Sequence, residues 1–192
     1  MYLTSVPALV QTIFPSAIWS SSQEPRLRLT FDDGPHPEST PQLLDLLLKK
    51  NIKATFFCLG ERLEKYPELH QMILQQGHQV GNHGYQHLSG WTTDYQTYIS
   101  NAEQGAEISA STLYRPPYGR MTPRQYQYLK AQHKIVLWTS MPGDFDPTIT
   151  KESVGSEVSI AFQQEGIIVL HDTPTCIEKV LFAINHLPQQ SS

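Results

Sequence analysis

The sequence predicts one α/β domain in which a mainly parallel sheet curls into a distorted barrel. Two observations carry this expectation. From Leu27 onward, short and continuously apolar runs alternate with amphipathic helical stretches, the rhythm of a chain winding strand to helix around a sheet buried on both faces. The residues with distinctive chemistry then fall at or near the ends of those runs, and in a parallel barrel these ends share one rim. A length of 192 residues, 39% hydrophobic and 17% charged, fits a single core.

In chain order the strand candidates are 27–31, 53–59, 78–81, 111–114, 134–139 and 167–170. Between them, 41–50, 67–76, 94–108, 123–132, 151–164 and 174–187 read as helices. Pro123 behind Thr122 and Lys151 behind Thr150 are first-turn positions following an N-cap, and Gly77 and Gly166 are helix stops. Six strands fall short of the eight of a regular closed barrel, hence the expected distortion.

Ahead of this domain, Val6, Leu9, Val10, Ile13, Phe14 and Ile18 make an apolar stretch with helical spacing. No Lys or Arg precedes Arg26, whereas a secretory leader normally begins with positive charge. Residues 1–24 are therefore expected to form a packing helix and link, and 25–192 the main domain, in a cytoplasmic protein without stable membrane insertion, an atypical signal or anchor being the alternative.

The formal net charge of -4, with no run of Lys or Arg, gives no electrostatic footprint for nucleic acid or for an anionic membrane. Cys58 and Cys176 are too few and too far apart for a disulfide framework or a cysteine-based zinc site. Any metal falls to His, Asp or Glu.

Asp32 and Asp33 stand between a strand and a Gly-Pro turn. Neighbouring side chains at a strand end point in different directions, so one carboxylate can ligate a cation while the other takes a proton. As a dipeptide alone they read more readily as a solvated turn. His83 and His87, four apart, would share one face of a helical turn and reach one divalent ion, with Asp33 a natural third ligand. In Arg115-Pro116-Pro117-Tyr118, two prolines set the directions of a guanidinium and an aromatic ring. His171 ends the most apolar strand and could be a general acid or a satisfied buried group. Asp144-Phe145-Asp146 lies in a Gly-Pro-flanked loop. Tyr85, Trp91, Tyr118, Trp138 and Phe145 cluster near these elements, where sugar rings could stack on them or the core could absorb them.

The ordered set, from Thr30-Phe31-Asp32-Asp33-Gly34-Pro35 through His-x-x-x-His, Arg-Pro-Pro-Tyr, Asp-aromatic and the strand-ending His, resembles the polysaccharide deacetylases with a NodB-homology domain, carbohydrate esterase family 4. It runs from about Leu27 to about Leu187. Each motif is modest alone; five in order are specific.

The resemblance implies a metal-dependent deacetylase of an acetylated carbohydrate or glycoconjugate, removing N-acetyl or O-acetyl groups. Asp33, His83 and His87 would hold one divalent metal ion, Zn²⁺ by preference, with Co²⁺ or Ni²⁺ also suited to such a site. Asp32 would be the general base, paired with Arg115, and His171 the general acid, oriented by Asp144. The backbone N–H of Tyr118 would serve the oxyanion. Phe145 would wall the groove and Val169 would line the acetyl-methyl pocket. Three departures stand out: Gly84 replaces the usual Ser or Thr and is expected to loosen the histidine loop, Phe145 replaces Trp, and Val169 replaces Leu. Rival readings are a carbohydrate-binding protein that keeps the fold without catalysis, and a metal-dependent hydrolase of another C–N bond in a small metabolite.

Overall fold

Leu29–Asp32 (β1), Thr55–Cys58 (β2), Gln79–Asn82 (β3), Leu113–Tyr114 (β4), Lys134–Ile135 (β5) and Ile168–His171 (β6) form one sheet in the order β5-β4-β3-β2-β1-β6. Every neighbouring pair is parallel. This computed structural model describes residues 8–22 and 24–189, with side chains from residue 11. The connecting helices are Thr40–Lys50 (α2), Gly60–Lys65 (α3), Pro67–Gln75 (α4), Tyr95–Ser109 (α5), Pro123–Leu129 (α6), Lys151–Gln163 (α7) and Ile177–Asn185 (α8), preceded by Ala8–Ile13 (α1).

Strand alternation divides the sheet into two faces. Leu29, Phe31, Phe56, Ile168 and Leu170 point outward, into a core shared with Leu43, Leu47, Val158 and Ile184 of the surrounding helices. Leu27, Phe57, Leu113, Val136 and Ile167 point inward and form a second cluster. Beside Phe57, Gly81 leaves room that no other residue could leave, because a Cβ there would stand 2.5 Å from the ring.

The curl closes through the segment after β5. It begins against β4, where Lys134 pairs with Leu113. It ends against β6, where Ser140 bridges Ile168 and accepts from the Val169 N–H at 2.9 Å. One short stretch therefore joins both free edges. This is why the expected strand 134–139 shrinks to a two-residue ladder: a segment changing neighbours cannot keep a regular register with either. The other expected strands and helices are present with ends shifted by a few residues, and Thr122 closes a capping box with Gln125 as its proline-led sequence implied. Helix α3 went unanticipated, since its six residues hold a single apolar residue, Leu63, too few for a period.

At the N-terminus, α1 is followed by an extended stretch whose Ile18 donates to Ile135 O and accepts from the Leu137 N–H. Ile13 is 59% exposed, whereas Phe14, Ala17 and Trp19 pack against the cluster of Tyr98, Tyr126 and Leu137. Packing is thus seen in the chain that follows α1. Val6 and the side chains of Leu9 and Val10 lie outside the described residues. Among the described residues no helix is long and apolar enough to cross a membrane.

Candidate active site

Asp32 is the last residue of β1 and faces inward, in line with Thr30. The buried Arg115 follows β4 and reaches across the barrel to both. Its Nη1 donates to Asp32 Oδ1 at 2.7 Å and to Thr30 Oγ1 at 2.7 Å. Nε and Nη2 turn to the carbonyls of Val136 and Leu137 at 3.4 and 3.5 Å, and the guanidinium lies 4.1 Å from the Phe57 ring centroid. Burial disfavours the cation, and the Asp32 carboxylate opposes that effect.

The next residue, Asp33, leaves the strand with φ 71°, which turns its carboxylate away from that of Asp32. Asp33 Oδ1 lies 3.3 Å from His87 Nε2 and 3.6 Å from His83 Nε2, yet this buried oxygen makes no hydrogen bond. His83 Nδ1 donates to the Arg115 carbonyl at 2.8 Å, because a carbonyl can only accept, and this leaves Nε2 as a lone-pair donor. Burial first, with the positive surroundings of His87 and Arg115, drives the His83 pKa down to about 3 against the pull of Asp33. Its ring is neutral, the state a ligand requires. An orphaned carboxylate oxygen facing two imidazole nitrogens, with the donor atoms of the three residues within 4.8 Å of one another, fits a divalent cation.

The two histidines meet by a different route from the expected helical turn. Residues 83–89 form a loop, and the rings approach to 5.0 Å because Gly84 takes φ 82° and bends the chain between them. Gly84 was expected to loosen this loop. Instead its N–H donates to Asn82 Oδ1 at 2.7 Å, its carbonyl accepts from Gly60, and a Cβ in its place would stand 2.7 Å from Asn101 Oδ1.

On the other side of β1, Asp32 pairs in register with His171 and Thr30 with Val169, which places Val169 on the same inward face, beneath His171. Asp144 grips His171 twice: Oδ2 accepts the backbone N–H at 2.7 Å and Oδ1 faces Nδ1 at 2.9 Å. Burial works against the imidazolium, but Asp144, followed by Asp33 and Asp32, outweighs it and raises the His171 pKa to about 9. Phe145 sets its ring edge-on to His171 at 5.0 Å.

Tyr118 sits in the turn Pro117–Gly119 with φ 59°, its ring edge-on to His87 at 4.3 Å. Gly119 follows at φ 65° directly over Trp138, whose ring a Cβ would approach to 2.3 Å. Nine of the ten residues assigned site roles thus lie at the carboxyl ends of the strands or in the loops that follow them, and Val169 lies within β6.

One buried residue next to the site was given no role in the sequence reading. Asp172 is fully buried and accepts from Ser39 Oγ and Thr40 Oγ1, both at 2.5 Å, while its N–H donates to Asp32 O at 2.8 Å. Burial lifts its carboxyl to about 6 despite those hydroxyls. It also packs against Gly34, where a Cβ would stand 2.4 Å from Oδ2. Asp172 therefore ties β6 to the loop carrying Asp33. Its position next to His171 was the only available signal.

Residues 20–135 match the family profile described as polysaccharide deacetylase. A peptidoglycan-N-acetylglucosamine deacetylase of Bacillus cereus is 36% identical over 157 residues, 76% of this chain and 55% of that protein. The chain thus spans just over half of that relative's length. A chitooligosaccharide deacetylase of Azorhizobium caulinodans is 33% identical over 158 residues, 75% of this chain and 72% of that protein. Among solved structures, the Bc1960 peptidoglycan N-acetylglucosamine deacetylase superposes with a TM-score of 0.81 at 28% identity, covering 94% of this chain and 87% of that one. Fold, site and sequence agree, and the chain belongs to the polysaccharide deacetylase family, the α/β half-barrel proteins of carbohydrate esterase family 4.

Proposed function

We propose that this protein is a metal-dependent hydrolase that releases acetate from an N-acetylated sugar. The observation that carries the reading is a divided pair of carboxylates: Asp33 Oδ1 is orphaned among imidazole nitrogens, while Asp32 is locked by Arg115 with its Oδ2 3.9 Å from His83 Nε2. A proton acceptor is thereby fixed beside a ligand set, in a protein whose relatives carry deacetylase names.

Asp33, His83 and His87 would hold the cation, which when bound polarises the acetyl carbonyl and lowers the proton affinity of water. Asp32, held in place by Arg115, takes a proton from the water that attacks the carbonyl carbon. The Tyr118 N–H receives charge developing on the carbonyl oxygen. As the C–N bond breaks, the departing nitrogen needs a proton. His171 is charged at neutral pH and its Nδ1–H is held by Asp144, so Nε2–H is the donor. The products are acetic acid, which ionises to acetate in water, and a free amine, with one proton gained at Asp32 and one lost at His171. Val169 and Phe145 bound the space for the methyl group and the sugar.

The test is acetate release from a series of N-acetylated oligosaccharides set against small cyclic and acyclic amides. Turnover confined to the oligosaccharides is expected. Turnover confined to small amides would replace this reading with the metabolite hydrolase. A binding protein alone has no use for a paired His171–Asp144 and Asp32–Arg115 beside one ligand set.

A further inference from the structure

Beyond the His87 side of the site runs a row of side chains that the chemistry above does not use. The Tyr118 ring stands edge-on to His87, Arg120 Cζ lies 5.6 Å from the Tyr118 ring centroid, and the same guanidinium lies 5.0 Å from the Trp91 ring. Trp91 is 65% exposed and Tyr118 57%. Large aromatic rings are usually withdrawn from water, so two beside a cleft, spaced by a cation, are unusual.

The row is held rigidly. Trp91 Nε1 donates to Met121 O at 3.4 Å. The buried Gln125 donates to Gly90 O at 3.1 Å, and Gly90 packs so tightly on the next segment that a Cβ would stand 2.5 Å from Arg120 O. The indole is therefore pinned from beneath. Arg120 makes no ion pair among the described residues. A guanidinium stacked between rings keeps its edge N–H groups free to take a carboxylate in two-point fashion.

We infer that Trp91, Arg120 and Tyr118 form a subsite for the sugar adjoining the one that is deacetylated, and that Arg120 selects glycans in which that adjoining sugar carries a carboxylate. The inference rests on the carbohydrate reading above and deepens it. The indole supplies a flat apolar surface for a sugar ring, and the cation supplies the charge complement. Neutral chitin-like chains would gain the stacking but not the ion pair.

The experiment measures binding by calorimetry and acetate release in parallel. Two tetrasaccharides serve as probes: a peptide-free peptidoglycan fragment, in which alternate sugars bear a lactyl carboxylate, and neutral chitotetraose. Arg120→Gln should weaken the acidic tetrasaccharide about tenfold and change chitotetraose by less than about twofold. Trp91→Ala should weaken both tetrasaccharides while acetate release from N-acetylglucosamine itself stays at the wild-type rate. Added salt should erode the preference for the acidic chain in the wild type and not in Arg120→Gln.

Equal losses on the acidic and neutral chains in Arg120→Gln, or unchanged binding in either variant, would overturn the subsite. So would a loss of binding that merely tracks a fall in thermal midpoint. If the wild type binds the acidic chain through these residues but releases no acetate, the deacetylase reading fails while the subsite stands. If it releases acetate and both variants bind as the wild type does, the reverse holds.

Discussion

Arg115 and Asp32 meet at 2.7 Å inside the barrel, both buried, with the guanidinium also bonded to Thr30 and turned toward two carbonyls of the segment that closes the sheet. One side chain thus orients the Asp32 carboxylate and ties β1 to the closing segment. Arg115→Leu leaves a buried carboxylate unpaired and should cost about 3–5 kcal/mol of folding stability. Without that partner the Asp32 carboxylate would lose its fixed orientation, and acetate release should fall. Arg115→Lys should rescue little, because one ammonium cannot span the same acceptors. Denaturant unfolding and acetate release measure the two effects; a leucine variant with wild-type stability and rate would contradict the assignment.

If His171 is the proton donor, the Asp144–His171 pair should set the alkaline limb of activity. The folded pKa of about 9 lies above the usual 6.5, so the pair contributes stability fully below pH 6.5 and loses that contribution as pH rises through about 9. The proton that His171 donates is lost over the same upper range, and the rate should decline there. In Asp144→Asn the main source of the raised pKa is gone, and the alkaline limb should move to lower pH. A pH–rate profile together with an NMR titration of His171 checks this; an unmoved limb would mean that another group controls it.

Gly119 bears on the oxyanion side of the site. Gly119→Ala puts a methyl group 2.3 Å from the buried face of Trp138 at a backbone angle that suits glycine. The turn must shift and carry Tyr118 with it. The expected result is a lower turnover rate with metal content unchanged, and a stability loss of about 1–3 kcal/mol. Equal turnover in the variant would show that the placement of Tyr118 is not critical.

Much of this site was legible because its chemistry sits at strand ends, where apolar runs stop and ordered polar motifs begin. Asp32-Asp33, His83, Arg115, Asp144 and His171 stood out by that position and His87 by its spacing from His83, while their roles came from the resemblance. What the sequence could not display was the means of convergence. The histidines meet through a loop bent at Gly84, since i,i+4 spacing states a distance along the chain and not a conformation. Asp172 escaped notice because its partners Ser39 and Thr40 lie 133 and 132 residues away, and no local rule links a buried carboxylate to two distant hydroxyls. The closing segment was read as a plain strand because its switch from β4 to β6 is a property of the sheet as a whole.

The division of labour between Asp32 and Asp33 is tested most directly by one paired measurement, metal content and acetate-release rate in Asp32→Asn and Asp33→Asn. Asp32→Asn should keep about one metal ion per chain and lose about 10²- to 10⁴-fold in rate, as removal of a general base does. Asp33→Asn should lose the metal and the activity together. An Asp32→Asn protein that loses its metal but keeps its rate would contradict the roles assigned to both carboxylates.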